Sequence, residues 1–307
     1  MHSPRRPFLL RRATVARWRL GRLPPTFKGL LWSAAASAIF VALNALMRHL
    51  SLELSAAQTQ FLRYLMGLLV MAPLMLGSGL AGLRPASVRG QFLRGAVHTL
   101  GLVVWFAAVP HITLADTTVI GFTTPIFIML GAAFFLSEPM RLSRWVAAGL
   151  GMTGVLIVVG QRLTGDGGGY LLIMLCSAPL YAVSFLMTKA LTRYERPSVI
   201  VLWQSITVTL LSLPMALMDW QWPSLLQWGV FLVCGAMGSG GHYCLTRSYV
   251  SADISATQSI RFLELVWAAA IGWLFFADPL SQWTVVGGLV ICASTVWIAR
   301  HEARTRA

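Results

Sequence analysis

Long apolar runs separated by short polar connections dominate the chain from about residue 28 onward. A helix needs about 20 apolar residues to cross the ~30 Å hydrocarbon core of a bilayer. Ten runs approach or exceed this length and predict ten membrane spans: 28–48, 55–76, 92–112, 115–136, 142–161, 170–191, 198–218, 225–249, 254–276 and 282–300. Only helices satisfy every backbone group in lipid without a closed sheet. The predicted fold class is therefore an all-α integral membrane protein.

Small and polar residues within these runs recur at a spacing of 140 positions. Gly95-Ala96 returns as Gly235-Ala236, and Glu138-Pro139 returns as Asp278-Pro279. Each copy holds five predicted spans, and an odd number makes the second copy enter the membrane in the opposite orientation. Inverted repeats of this kind are typical of transporters, whose substrate site lies near the bilayer midplane between the two halves.

The repeat divides the chain into four predicted segments. Residues 1–27 form a basic cytoplasmic tail, and residues 28–161 form the first five-helix repeat. A glycine-rich linker covers 162–169, and the second repeat covers 170–300. The remaining connections are short, so no soluble catalytic domain is predicted.

Composition agrees with a membrane protein. Hydrophobic residues make up 57% of the chain and charged residues 11%, well below the quarter that is usual in soluble domains. The net charge of +14 is concentrated in the N-terminal tail and in connections such as Arg84/Arg89 and Arg193/Arg196. This bias predicts that both termini are cytoplasmic, in a bacterial inner membrane, with arginines that favour anionic membrane lipids. No basic surface interleaved with exposed aromatic residues suggests a nucleic-acid partner.

The cysteines do not indicate a disulfide or a metal centre. All four lie inside predicted spans and are typical of small buried residues: Cys176, Cys234, Cys244 and Cys292. No cysteine or histidine pair has the spacing of a metal site. Neither a metal nor a cofactor is therefore predicted.

Ionisable residues at membrane depth are costly and usually face a cavity or a partner. Arg261 and Glu264 lie near the middle of the ninth span, three residues apart and so on one helical face. One interpretation is a structural ion pair that holds this helix to a neighbour. The other is a cavity lining, in which Arg261 binds an anionic group and Glu264 binds a cationic group or a proton.

Further polar candidates lie in four other spans. Arg63, in the second span, either extends its long stem outward or points into the cavity. Its counterpart in the second repeat falls at Trp203-Gln204, which makes Gln204 a candidate as well. His98 and His242, in the third and eighth spans, are either packing residues or cavity residues. A cavity position would suit His242 for substrate binding and His98 for proton coupling.

Helix interruptions and deep aromatic residues extend the candidate set. Pro125 and Pro179 lie at the centres of the fourth and sixth spans, where each removes a backbone hydrogen bond. Such breaks are pointers to the binding site in transporters and tolerated kinks in other membrane helices. Gly238–Gly241 is expected to loosen the eighth span similarly. Trp105 and Tyr181 either line the cavity, where they would favour a flat or cationic solute, or pack against lipid.

Small residues four apart indicate close helix packing in the fifth and tenth spans. Ala147 and Gly151 form one such pair, and Gly288 and Cys292 form the other. This spacing lets helix backbones approach within the membrane. Packing inside one molecule is the first interpretation, and the seam of a homodimer is the alternative.

Together these residues resemble the drug/metabolite transporter superfamily, in particular its EamA-type members. The resemblance covers nearly all of residues 28–300 and rests on three stretches: Phe61 to Tyr64, Ala115 to Pro139, and Ala252 to Pro279. It implies a central cavity built from spans 1–4 and 6–9, with spans 5 and 10 as supports. It also implies alternating access without ATP. One departure is Asp278, where the first copy keeps the glutamate of the family at Glu138.

The resemblance implies a secondary transporter for a small polar or charged metabolite, such as a flavin, an S-adenosyl compound or an amino acid-like solute. The alternative is an integral-membrane enzyme that modifies lipids. An enzyme would need catalytic groups clustered near one interface. The nearest approach is His111 and Asp116, five residues apart near the outer face. Polar loop residues account for that pair more simply, so an enzyme is not predicted.

Overall fold

The computed structural model describes residues 24–50, 53–78, 84–108, 111, 120–139, 141–160, 168–276 and 282–305. This part of the chain is almost entirely helical and contains no β-strand, which confirms the all-α fold class. Its helices are α1 Pro25–Leu50, α2 Ala56–Ser78, α3 Val88–Ala108, α4 Thr124–Leu136, α5 Leu142–Val159, α6 Gly169–Leu191, α7 Pro197–Met218, α8 Leu225–Ser251, α9 Ile254–Arg261, α10 Leu263–Phe276 and α11 Gln282–Thr305. Most of the predicted tail and linker, together with Asp116 and Asp278, lies outside the described residues.

Several helices have the length and apolarity that a bilayer requires. Among the described residues, four segments are long and apolar enough to cross a membrane: Pro25–Met47, Gly169–Leu191, Pro197–Met218 and Gln282–His301. Thr124–Leu136 and Leu142–Val158 are apolar but shorter. Large apolar side chains cover the outer surface, including Phe134 at 74% exposure and Leu225 at 90%. Such a surface suits lipid rather than water.

The helix boundaries differ from the predicted spans in three places. Pro125 lies in the first turn of α4, where a missing N–H costs nothing, and the helix break in this span falls just before it, at residues 122–123. α6 continues through Pro179, and α8 continues through Gly238–Gly241, so the interruptions expected there are not seen. Phe262 instead divides the ninth span into α9 and α10.

Equivalent contacts recur in the two repeats. α3 packs against α6 and α7, and α8 packs against α1 and α2. Gly95 of α3 lies against the side chain of Thr207 on α7, while Gly235 of α8 lies against the backbone of Met66 and Gly67 on α2. A β-carbon at either glycine would overlap these neighbours. Because Gly95 and Gly235, like Gly67 and Thr207, are 140 positions apart, the internal repetition extends to the packing of the helices.

α5 and α11 form a pair of their own. Gly154 and Gly287 lie face to face, so the two backbones touch. Ser294 Oγ also donates to the Ala147 carbonyl across this seam, over 2.9 Å. Gly151 packs against the ring of Phe262, as expected for packing within one molecule. Gly288 faces open space and takes no part in the contact.

Candidate functional site: a polar cluster between the repeats

A buried hydrogen-bonded cluster occupies the interior of the helix bundle. Tyr64 Oη on α2 lies 3.2 Å from Nε2 of His98 on α3 and 3.4 Å from Nε2 of His242 on α8. Gln204 on α7 places its Nε2 3.3 Å from Tyr64 Oη and 3.5 Å from His242 Nε2. All four side chains are buried. Three sequence candidates, His98, His242 and Gln204, therefore meet at one point, around a tyrosine at the position equivalent to Gln204.

His98 extends the cluster toward α6. Its Nδ1 lies 3.4 Å from Ser184 Oγ, so both ring nitrogens have a polar neighbour. The ring of Tyr181 stands edge-on to His98 with centroids 5.4 Å apart, and Phe185 lies 6.3 Å away in a similar geometry. Tyr181, a sequence candidate, is thus placed at the edge of the cluster. Residues from both repeats are needed to build it.

Arg94 binds the cluster through Gln204, and it is not among the candidates that the sequence indicates. Its Nη2 donates to Gln204 Oε1 over 2.6 Å, its Nε to Thr188 Oγ1 over 2.6 Å and its Nη1 to the Ile200 carbonyl over 3.1 Å. Only 1% of the residue is exposed. An arginine near the start of a span resembles an interfacial residue. Its position four residues before His98, on the same helical face, is the signal that could have identified it.

The side chain of Arg63 points into the bundle, as the cavity interpretation requires, and does not extend toward the outer surface. Its guanidinium carbon lies 4.7 Å from the ring centroid of Tyr64. The same group lies against Gly238 of α8, where a side chain would collide with it. Nη1 makes a long contact of 3.4 Å with Gln60 Oε1, and the buried Nε has no hydrogen-bond partner. Arg63 is therefore a neighbour of the cluster with unused donor capacity.

Arg261 and Glu264 form the pair that their spacing predicts. Arg261 Nε lies 3.3 Å from Glu264 Oε1, and the two side chains are 20% and 22% exposed. The guanidinium carbon lies 5.2 Å from the ring centroid of Phe185, which joins the pair to His98. Nη1 of Arg261 is buried and has no hydrogen-bond partner. The interruption at Phe262 separates the two residues between α9 and α10.

The remaining candidates make aromatic contacts of their own. Trp105 packs edge-on against Phe106, with centroids 5.0 Å apart. His111 stacks on Tyr170 with centroids 4.0 Å apart, while its suggested partner Asp116 is outside the described part of the chain. Within that part, no three His, Cys, Asp or Glu side chains are grouped as a metal site requires.

A second polar network joins the repeats where α4 and α5 meet α9. The Glu138 carboxylate accepts hydrogen bonds from the Ile254 N–H over 2.8 Å and from the Ser255 N–H over 3.1 Å. Ser255 Oγ donates to the same carboxylate. Arg144, almost fully buried, donates to Asp253 over 2.8 Å and to Ser255 Oγ over 2.6 Å. Glu138 therefore acts as the N-terminal cap of α9, from the other repeat.

The reverse contact occurs at the start of α3. Glu195, between α6 and α7, accepts hydrogen bonds from the N–H groups of Ala86 and Ser87 over 2.7 and 3.2 Å. Within the second repeat, Lys189 donates hydrogen bonds to the carbonyls of Tyr249 and Ala252 at the end of α8, over 2.5 and 2.6 Å. Each repeat thus supplies a carboxylate that binds unpaired backbone N–H groups in the other repeat.

Comparison with known proteins accounts for the internal repetition. The family model of the EamA-like transporters matches the chain twice, over residues 27–160 and 168–300. The chain belongs to the EamA-like transporter family. It is a multi-pass membrane protein and a transporter of a small metabolite, as the sequence predicts.

Relatives with named functions match over nearly the whole chain. A riboflavin transporter of Rhizobium johnstonii is 31% identical over 279 residues, which cover 90% of this chain and 92% of the relative. A pseudopaline exporter of Pseudomonas aeruginosa is 29% identical over 89% of this chain and 96% of its own. An S-adenosylmethionine uptake transporter of Rickettsia prowazekii is 24% identical over 90% and 94%. A crystal structure that is 17% identical shares the fold, with a TM-score of 0.78 over 90% of this chain and 98% of its own.

Proposed function

We propose that the chain is a secondary transporter that binds a small polar or charged metabolite in the central polar cluster and moves it by alternating access. One observation carries this assignment. Tyr64 and His98 come from the first repeat and Gln204 and His242 from the second, and they meet in one buried hydrogen-bonded group. Polar residues buried at the interface of two repeats are where transporters of this architecture place their substrate.

The proposed topology has ten spans in two inverted five-helix repeats, with both termini on the cytoplasmic side of a bacterial inner membrane. The repeated helix contacts and the distribution of arginine support it. In this orientation the Glu138–α9 network lies at the cytoplasmic end. The opposite end has its own link between the repeats, because Gln58 Nε2 donates to the Gln221 carbonyl and Gln221 N–H donates to Gln58 Oε1. Alternating access would release one end at a time.

The proposal assigns substrate contact to the cluster and its neighbours. These groups are Arg63, Tyr181, Gln204, His242, Arg261 and Glu264. Glu264 and His98 are the proposed proton-coupling residues. His98 faces Tyr64 of α2, His242 of α8 and Ser184 and Tyr181 of α6, with Arg94 one turn away on its own helix. α5 and α11 would act as a support, and membrane lipids would cover the apolar outer surface. We propose no enzymatic activity.

The test is solute counterflow in liposomes that contain the purified protein. Labelled riboflavin, S-adenosylmethionine and amino acids are offered in turn, each with unlabelled solute inside. We expect one of them to accumulate transiently, and His242→Ala and Gln204→Ala to reduce this flux at least tenfold, the effect of about 1.4 kcal/mol. Arg193→Gln, an exposed residue outside the cluster, is the matched control.

Coupling is tested in the same liposomes with an imposed proton gradient. We expect the gradient to drive uphill accumulation in the parent protein, and His98→Gln or Glu264→Gln to allow counterflow without uphill accumulation. Absence of flux for every solute, together with turnover of a lipid by the detergent-purified protein, would support the enzyme alternative.

A further inference from the structure

We infer that the solute is a small organic anion whose carboxylate or phosphate groups bind Arg63 and Arg261. The inference rests on the proposed function and adds the chemical class of the substrate. Two observations carry it. Among the described residues, positive side chains outnumber carboxylates around the cluster, and the guanidinium groups of Arg63 and Arg261 each keep a nitrogen without a hydrogen-bond partner.

Among the side chains that the structure describes, cations outnumber carboxylates around the cluster. Arg63, Arg94 and Arg261 all adjoin the cluster, whereas Glu264 is the one carboxylate there among the side chains that the structure describes. The other described carboxylates lie at or beyond helix ends: Glu53, Glu138, Glu195, Asp219 and Asp253. An uncompensated charge in a low-dielectric interior is costly. A bound anion would offset that cost.

The arginines divide into two kinds by their hydrogen bonds. Arg94 and Arg144 are almost fully buried, and their guanidinium groups donate over 2.6 to 3.1 Å to several fixed partners. Arg63 and Arg261 border the cluster and are partly exposed, and each keeps a buried nitrogen without a partner, Nε in Arg63 and Nη1 in Arg261; Arg247 also has such an Nε but lies over Trp32 instead. The first two therefore hold helices together. The second two have donors that a ligand can use.

An aromatic ring lies beside each of these two guanidinium groups. Arg63 lies over Tyr64, and Arg261 lies over Phe185. A guanidinium stacked on a ring keeps its N–H edge available, and that edge matches two oxygens of a carboxylate or phosphate. Tyr64 and Phe185 both adjoin His98, so the two arginines border the same cluster. The arrangement suits recognition of a negatively charged group more closely than recognition of a cation.

The experiment compares solutes that differ by one anionic group. The pairs are riboflavin and riboflavin 5′-phosphate, adenosine and adenosine 5′-monophosphate, and glutamine and glutamate. Thermal stability of the purified parent protein reports binding, because a ligand of the folded state raises the melting temperature. We expect the anionic member of at least one pair to bind about tenfold more tightly than its partner, since hydrogen bonds between charged groups contribute about 1.5–3 kcal/mol.

Variants then assign the preference to the two arginines. Arg63→Gln and Arg261→Gln should each remove it, whereas Arg63→Lys and Arg261→Lys, which keep the positive charge, should retain part of it. Arg193→Gln should behave as the parent. Stabilisation of the parent only by neutral or cationic solutes, or an anion preference that survives both glutamine variants, would overturn the inference.

Counterflow separates this inference from the proposed function. If a neutral solute is transported equally well by the parent, Arg63→Gln and Arg261→Gln, the carrier function is supported and the anion class is refuted. Tight binding of an anion without counterflow of any solute would refute the carrier and leave the anion site. If the protein binds and transports an anion, and if both glutamine variants abolish the binding and the transport, the carrier function and the anion class are both supported.

Discussion

The rings of Phe122 and Phe262 stack with their centroids 5.5 Å apart and their planes 20° apart. The two residues are separated by the 140-residue spacing of the repeat. Phe122 lies in the turn at residues 122–123, between helical residues 120–121 and α4, and Phe262 separates α9 from α10. Equivalent breaks in the two repeats therefore meet at one aromatic contact, which Met129, Val155 and Ile291 surround.

Gly151 provides the space for this contact. A β-carbon at Gly151 would overlap the ring of Phe262, whereas one at Gly149, on the same helix, would meet nothing. We expect Gly151→Ala to lower the free energy of unfolding by about 1–3 kcal/mol through overpacking. Gly149→Ala is the matched control and should raise it by about 0.5–1 kcal/mol, because alanine favours a helix. Reversible unfolding in mixed micelles measures both values, and equal effects would contradict this account.

Arg94 holds two helices of the second repeat, α6 and α7, through three hydrogen bonds from one side chain. Arg94→Met should lower the stability by more than the about 1.5–3 kcal/mol of one charged hydrogen bond, since three acceptors lose their donor. Arg94→Lys keeps the charge but cannot reach all three acceptors, so its effect should be intermediate. The same unfolding assay checks the order of the three proteins. An Arg94→Met variant as stable as the parent would show that these bonds do not hold the helices.

Glu138 caps α9 across the repeats, and this contribution can be measured separately. Glu138→Gln removes the charge and one of the two acceptor oxygens, so the free energy of unfolding should fall by about 0.5–2 kcal/mol. Glu53→Gln is a suitable control because Glu53 is exposed and accepts a hydrogen bond from the Gln227 side chain instead of a helix end. It should change the stability by less than about 0.5 kcal/mol.

The Arg261–Glu264 pair can be a site or a structural pair, and a double variant separates these roles. Glu264→Gln leaves a buried guanidinium without its counter-ion, and we expect a loss of about 1–3 kcal/mol in stability. Replacing both residues by glutamine removes both charges and should recover most of that loss. Transport should stay at least tenfold below the parent in the double variant if Arg261 binds the solute. Recovery of both stability and counterflow would make the pair structural.

The sequence predicts the helical fold, the repeat and the family because these depend on local patterns. Apolar runs give the helices, and residues such as Gly95 and Gly235 show the repeat directly. The sequence indicates His98 and His242 separately, as polar residues in lipid, and Gln204 as part of the counterpart of Arg63 in the second repeat. Their convergence depends on how helices pack, and spacing along the chain does not contain that information.

The errors have physical causes as well. Pro179 removes one hydrogen bond, yet the rest of a long helix holds it in place, so α6 continues. Phe262 carries no sequence signal of a helix break, because nothing in an aromatic side chain opposes a helix. The interruption there is a matter of tertiary packing against Phe122 and Gly151. Arg94 lies two residues after the predicted start of its span, where an arginine is typical of an interface, and its burial depends on contacts with α6 and α7.

The exchange of hydrogen bonds between the repeats bears on how the protein is made. The N–H groups of Ala86 and Ser87 and the guanidinium of Arg94 belong to the part that leaves the ribosome first. Their acceptors lie between Thr188 and Gln204 and are synthesised later. Until the second repeat has been made, the Arg94 side chain and the N-terminal end of α3 therefore lack their native hydrogen-bond partners. These hydrogen bonds form only after the second repeat has been synthesised, and not when the first repeat is inserted.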